Sequence, residues 1–169
     1  MTLVRQGRKG RNEPTCEKAA WGRGTLGCSL GHDGRMRSET YSYTTGDRDT
    51  VLDITRDCER FVADETSGLL HVFVPHATAG IAILETGAGS DDDLLSVLED
   101  LLPASDRWRH RHGSPGHGRS HVMPAFVPPY ATVPVLDGRL QLGTWQSVCL
   151  VDLNIDNHER EVRLSFLAG

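Results

Sequence analysis

The sequence predicts an α+β domain: largely antiparallel, sandwich-like sheets with two helices packed on them. Three observations carry this. Short apolar or alternating runs outnumber helical patterns, and no regular strand–helix–strand alternation recurs. In addition, Asp137-Gly138 sits between two strand-like runs, as the turn of a type I′ hairpin would.

The elements follow in order. "ETYSYTT" (39–45) alternates like a strand, with Tyr41 and Tyr43 on one face. In "DTVLDITRDCERFVAD", Val51, Ile54, Cys58, Phe61 and Val62 recur at helical spacing behind an Asp49/Thr50 start signal, which predicts the first helix. "GLLHVFVPH" (68–76) and "AGIAILE" (79–85) read as buried strands. "SDDDLLSVLEDLLP" predicts the second helix, with Ser90 as N-cap, aspartates in the first turn and a stop at Pro103. Its apolar face comprises Leu94, Leu95, Val97, Leu98, Leu101 and Leu102. At a helix start, "SDDD" reads as capping rather than as a magnesium box.

The hairpin "ATVPVLDGRLQL" leads to a long strand in which Val148 and Leu150 alternate with Cys149 and Val151, as expected of a strand covered on both faces. "REVRLSFLAG" closes the chain with Val162, Leu164 and Phe166 on one side. Trp145 is expected in the core.

A chain of 169 residues with 38% hydrophobic residues and a net charge of -5 suits one soluble domain. Residues 1–37 are assigned to a disordered basic extension and 38–169 to the domain. The first 35 residues hold seven of the eighteen Lys/Arg and three of the twenty-three acids, leaving eleven arginines and twenty acids for the rest. Both lysines, Lys9 and Lys18, lie in the extension. Lysine Schiff-base chemistry and a phosphate-loop lysine are therefore excluded from the body of the chain. The extension supports nucleic-acid binding only weakly, and no nucleic-acid partner is expected. No apolar run approaches the roughly 18–20 residues that span a bilayer, so no membrane partner is expected either. Cys16, Cys28, Cys58 and Cys149 lack paired zinc-ligand spacing; without an export signal they read as reduced thiols of a cytoplasmic protein.

The stretch "WRHRHGSPGHGRSH" places four of the eight histidines, His110, His112, His117 and His121, within residues 110–121. In extended backbone His110 and His112 share a face. Gly113, Pro115, Gly116 and Gly118 permit sharp reversals beyond them. Converging imidazoles are one way to build a zinc-type site, and a solvated polar loop is the other reading. In "PHATAG", His76 ends an apolar strand, and Thr78, Ala79 and Gly80 carry little bulk, so a ligand could approach backbone N–H groups there. His76 could equally just bond its own turn. Glu85 suits a general base, a partner that orients an imidazole, or an exposed strand end. In "GRLQLGTWQS", Arg139 offers a fork for phosphate or carboxylate, and Thr144 and Gln146 follow Gly143, which allows close backbone approach.

Taken together, "HATAGIAILE", "LLPASDRWRH", "GRSH", "TVPVLDGRLQLGTWQ" and "REVRLSFLAG" resemble the YjbQ family, also labelled the secondary thiamine-phosphate synthase family. The resemblance covers about residue 39 to the end. It implies a compact trimeric subunit with a histidine-lined metal or ligand site. Carried over by position, it implies metal ligands at His76, His110 and His121 and the family glutamate at Glu85. His112 and His117 fall outside the common pattern and are support or replacement ligands. The chain departs from relatives that have Asn at the positions of Leu84 and Thr86, Asp-Pro at Ala88-Gly89 and Lys at Met123.

The resemblance implies joining of hydroxymethylpyrimidine pyrophosphate to thiazole phosphate, with release of pyrophosphate. Glu85, Arg139 and Gln146 would serve catalysis, while Thr78, Ala79, Gly80, Thr144, His112 and His117 would bind a phosphorylated small molecule. The cofactor expected is a divalent metal, zinc first and Mg²⁺ second. A metal-dependent hydrolase with Glu85 as base, or a non-catalytic metal- or ligand-binding homotrimer, fits the same residues.

Overall fold

The alternation in the first run becomes strand β1 (Met36–Thr44) in the computed structural model, which describes residues 36–169 apart from Asp106. The expectation of disorder over the preceding segment lies outside the described residues. β1 starts two residues before the boundary expected at 38, and Arg37 anchors that start. Its guanidinium bonds Glu65 at 2.8 Å and lies 3.9 Å from the Phe61 ring centroid.

After β1 the chain forms β2 (Thr50–Asp53), α1 (Thr55–Val62), β3 (Gly68–Phe73), β4 (Ala79–Leu84) and α2 (Ser90–Leu101). Two 3₁₀ turns, His117–Arg119 and Met123–Ala125, precede β5 (Tyr130–Leu136), β6 (Arg139–Leu140), β7 (Ser147–Asp152) and β8 (Glu159–Ala168). All strand pairs are antiparallel, in a five-stranded sheet of order β1-β8-β3-β5-β6 and a three-stranded sheet of order β2-β7-β4. The expected α+β sandwich with two helices is the observed architecture. Among the described residues no helix is long and apolar enough to cross a membrane.

The first helix is shorter than its periodicity predicts. Residues 50–53 are strand, because Val51 and Leu52 pair with Val151 and Leu150 on β7. The helix begins at Thr55, whose backbone N–H is accepted at 2.8 Å by Asp53 Oδ1. Its inner face delivers Cys58, Phe61 and Val62 to the core between the sheets. The second helix starts at Ser90, with Gly89 rather than Ser90 at the cap and φ of 98° there. Leu98 and Leu102 are buried, but Val97 and Leu101 are about half exposed, so its apolar face is narrower than expected. The hairpin forms as predicted, with φ of 48° at Asp137 and 72° at Gly138.

Two cores result. One lies between the sheets and includes Leu70, Val72, Val135, Leu150, Leu164 and Phe166. The other joins α2 to the outer face of the small sheet through Leu98, Leu102, Met123, Val127, Val151 and Leu153. β7 feeds both, since Leu150 belongs to the first and Val151 to the second.

At the end of β7 lies a buried ion pair. Arg160, 1% exposed, grips Asp152, also 1% exposed, with Nε 2.8 Å from Oδ2 and Nη2 2.9 Å from Oδ1. Thr45 Oγ1 donates to Asp152 Oδ2 at 2.7 Å. Arg160→Met leaves the Asp152 carboxylate buried and unpaired, and is expected to cost about 3–5 kcal/mol. Arg160→Met/Asp152→Leu should recover much of that loss. Urea denaturation reads both; an Arg160→Met protein as stable as wild type would contradict this account.

Candidate metal centre

The four histidines of residues 110–121 converge. Their ligand nitrogens all lie within 4.8 Å of one another. Ring centroids mark a near-square: 4.1 Å from His110 to His112, 4.7 Å to His117, 4.8 Å to His121 and 4.0 Å back to His110, with both diagonals 5.7 Å. The segment is not a regular helix, yet consecutive turns shape it. His117 N–H donates to Ser114 O at 3.0 Å, Ser120 N–H to His117 O at 3.1 Å, and Val122 N–H to Arg119 O at 3.0 Å. On such turns residues four apart share a side, and His117 and His121 face each other with Nε2 atoms 2.9 Å apart.

One carboxylate orients the group. His117 Nδ1 lies 2.6 Å from Asp156 Oδ2, the arrangement in which Nδ1–H donates and Nε2 keeps its lone pair toward the other rings. Ser114 donates to the same carboxylate from its backbone N–H at 3.0 Å and from its hydroxyl. These Ser114 bonds come first, and His117 after them, in holding the Asp156 carboxyl below its ordinary range. Gly113 makes the approach feasible: a Cβ there would sit 2.4 Å from Asp156 Oδ2.

Loss of hydration, then the like charge of neighbouring imidazoles, lowers the pKa of both His110 and His121. Both are therefore biased toward the neutral, ligand-competent form. A cavity of about 260 Å³ opens beside the cluster, lined by Trp108, Arg111, Ser105 and Ser114 as well as by His110, His112 and His117. The donor set fits a transition metal: neutral imidazoles, one locked in its tautomer, with open space beside them.

The remaining sequence candidates lie elsewhere. His76 is outside the cluster; its Nε2 accepts the Glu161 backbone N–H at 3.0 Å, a bond to β8 rather than to its own turn. Burial, then the Arg160 charge, lowers its pKa. Thr78 is buried, and its hydroxyl receives Asn154 Nδ2 at 3.3 Å and Arg160 Nη2 at 3.4 Å, so it belongs to the ion-pair network.

Ala79 and Gly80 are strand residues paired with Asp152 and Val151, not an open cradle. A Cβ at Gly80 would meet Val127 O at 2.3 Å, so its small size serves packing. The next N–H, of Ile81, is taken by Pro128 O at 2.8 Å. Glu85, Arg139, Thr144 and Gln146 line none of the cavity. Gln146 Oε1 instead accepts the Gly143 N–H at 2.7 Å and closes its own turn. Trp145, expected in the core, is 72% exposed because that turn carries it past the end of the sheet. Asp156 was missed. A lone aspartate 39 residues after His117 gives no local signal, and only the tertiary fold pairs the two.

A family model described as UPF0047 protein YjbQ-like matches residues 39–169. A UPF0047 protein of Mycobacterium bovis is 58% identical over 122 residues, covering 72% of this chain and 95% of that protein. The UPF0047 protein YugU of Bacillus subtilis is 37% identical over 117 residues, covering 65% and 84%. Among solved structures, a YbjQ-like protein of unknown function from Sulfolobus solfataricus superposes with a TM-score of 0.74 at 26% identity, covering 80% of this chain and 99% of that one. A hypothetical protein from Aeropyrum pernix gives 0.71 at 29% identity, covering 79% and 99%.

The electrostatics predict that the His110 and His121 rings titrate below the ordinary histidine value of about 6.5. An NMR titration of the ring carbon-bound protons checks this. Midpoints at or above that value would show that the imidazoles do not crowd one another in solution.

Proposed function

Because the chain belongs to the YjbQ/UPF0047 family, we propose that it is a divalent-metal protein whose ion is held by His110, His112, His117 and His121. The cavity beside the ion takes a small phosphorylated molecule. The observation that carries the reading is the convergence of four imidazole nitrogens within 4.8 Å. The donor set suits zinc or a neighbouring first-row ion and is foreign to Mg²⁺, which takes oxygen ligands. A bound ion would supply positive charge for a departing anion.

The chain's own residues have definable tasks. Asp156 holds the His117 proton at Nδ1 and keeps Nε2 turned to the cluster. Arg111 stands in the cavity wall, the cationic group there that suits a phosphate or pyrophosphate oxygen. Trp108 backs the cavity from below, fixed by its indole N–H on Pro103 O at 3.0 Å.

The activity assigned to this pocket is the one the family resemblance implies. The thiazole nitrogen attacks the pyrimidinylmethyl carbon, the carbon–oxygen bond to pyrophosphate breaks, and thiamine phosphate and pyrophosphate leave. Such a reaction needs positioning and neutralisation of the leaving group more than a strong base. It therefore accommodates the absence of Glu85 from the cavity lining. Assembly as a homotrimer belongs to the same reading. It is supported by an apolar row across the outer face of the large sheet, where Met36 pairs with Leu167, Leu167 with Leu69 and Leu69 with Pro134. Light scattering gives the mass that checks it.

Purified protein is expected to carry stoichiometric metal by elemental analysis. His110→Ala, His117→Ala and His121→Ala should lose it, while His76→Ala keeps it. Because each ligand must be deprotonated, occupancy should fall as pH drops through the lowered pKa values of His110 and His121. Thiamine phosphate formation should vanish with chelation and return with zinc. Full metal content in His117→Ala and His121→Ala would refute the assignment of ligands. Turnover that survives chelation would refute the role of the ion.

A further inference from the structure

The residue between the two facing histidines points the other way. Arg119 lies two positions from His117 and two from His121, and on consecutive turns that places it opposite both. Its side chain is only 9% exposed. Nη2 reaches Asp49 Oδ2 at 2.5 Å, in the connection between β1 and β2, while Nη1 pairs with Glu99 on α2 and lies 3.5 Å from Leu102 O. One planar fork thus ties the histidine-bearing turn to two separate parts of the fold. Burial raises the Asp49 pKa, and the Arg119 charge opposes that rise.

We propose that Arg119 is a positioning residue that sets the separation and facing of His117 and His121 from behind. Asp156 fixes the azimuth of the His117 ring by gripping Nδ1 from the side. That bond does not hold the turn against α2, and Met123, packed with Leu98 and Leu102, holds only the segment beyond His121. Arg119 fastens the backbone midway between the rings. A shorter or uncharged side chain releases the turn, which draws His117 Nδ1 off Asp156 as well as His117 Nε2 away from His121, so neither the tautomer nor the 2.9 Å approach is held. Its effect on metal rests on the metal reading above; its effect on ring geometry does not.

The test uses the full chain as Arg119→Met, Arg119→Lys and Glu99→Gln, each compared with wild type. Long-range ¹H–¹⁵N spectra of the imidazoles report the His117 tautomer without metal, cobalt(II) titration reports affinity, and thermal unfolding reports stability. Arg119→Met is expected to average the His117 tautomer and to weaken cobalt(II) binding at least about tenfold, the lower range for loss of an outer partner. Arg119→Lys should recover part of that loss, because its single ammonium can serve one carboxylate but not both. Glu99 is half exposed, so Glu99→Gln should weaken cobalt(II) binding while the unfolding midpoint stays unchanged, a pattern that a purely structural role would not give.

A folded Arg119→Met protein with the wild-type tautomer and wild-type cobalt(II) affinity overturns the proposal. If Arg119→Met does not fold, Glu99→Gln decides, and unchanged His117 signals and affinity there overturn it equally. If wild type binds no cobalt(II) but His117 loses its tautomer in the variants, the positioning role stands and the metal reading falls.

Discussion

β7 is buried on both faces, and that constraint organises everything around it. A strand covered on both sides must send alternate residues into two different cores, which Leu150 and Val151 do. Its end then has to leave the interior without stranding polar backbone groups. The exit is a staircase of side chains. Asp152 Oδ1 accepts the Asn154 N–H at 2.9 Å, and Asn154 Oδ1 accepts the Asp156 N–H at 3.0 Å. Each step is an Asx-type turn in which a side chain stands in for the next strand partner. The first step is buried against Arg160, and the last reaches His117. The best-buried ion pair of the fold and the carboxylate that orients the histidine cluster are thus successive rungs of one structure.

The cluster is built from mobile-looking sequence but is held at defined points. Glycines and a proline break the segment into turns, and carboxylates from distant parts of the chain fasten those turns. Asp156 works from beyond β7 and Glu99 from α2. His117, on the tied turn, is partly buried, whereas His110 and His112 on the segment before it are exposed.

The strands were legible because their signals are local. Alternation in β1 and β8, and the Asp-Gly turn between β5 and β6, depend only on neighbours in sequence. Residues 50–53 were not, because Val51 and Ile54 satisfy helical spacing as well as strand pairing, and a partner strand nearly a hundred residues away decides. At the site, spacing brings His110, His112, His117 and His121 close in sequence but leaves open whether their rings converge or lie on a solvated loop. The place of His76 apart from that cluster could not be read either: a histidine after an apolar strand has the same local appearance whether it faces a ligand or the Glu161 N–H. The small residues after it were likewise ambiguous. Tightness against Val127 explains Gly80, and an open cradle would have asked for the same residue.

The large sheet ends on one side in β6, a strand of just two residues. Beside it on β5, Pro134 turns its carbonyl to the same rim, where it accepts the Gln141 N–H at 2.9 Å, and a proline has no N–H to give a foreign chain there. That rim is therefore poorer in donors than a regular border strand, which disfavours lateral growth there while the side chains of the adjoining face stay free to meet other surfaces.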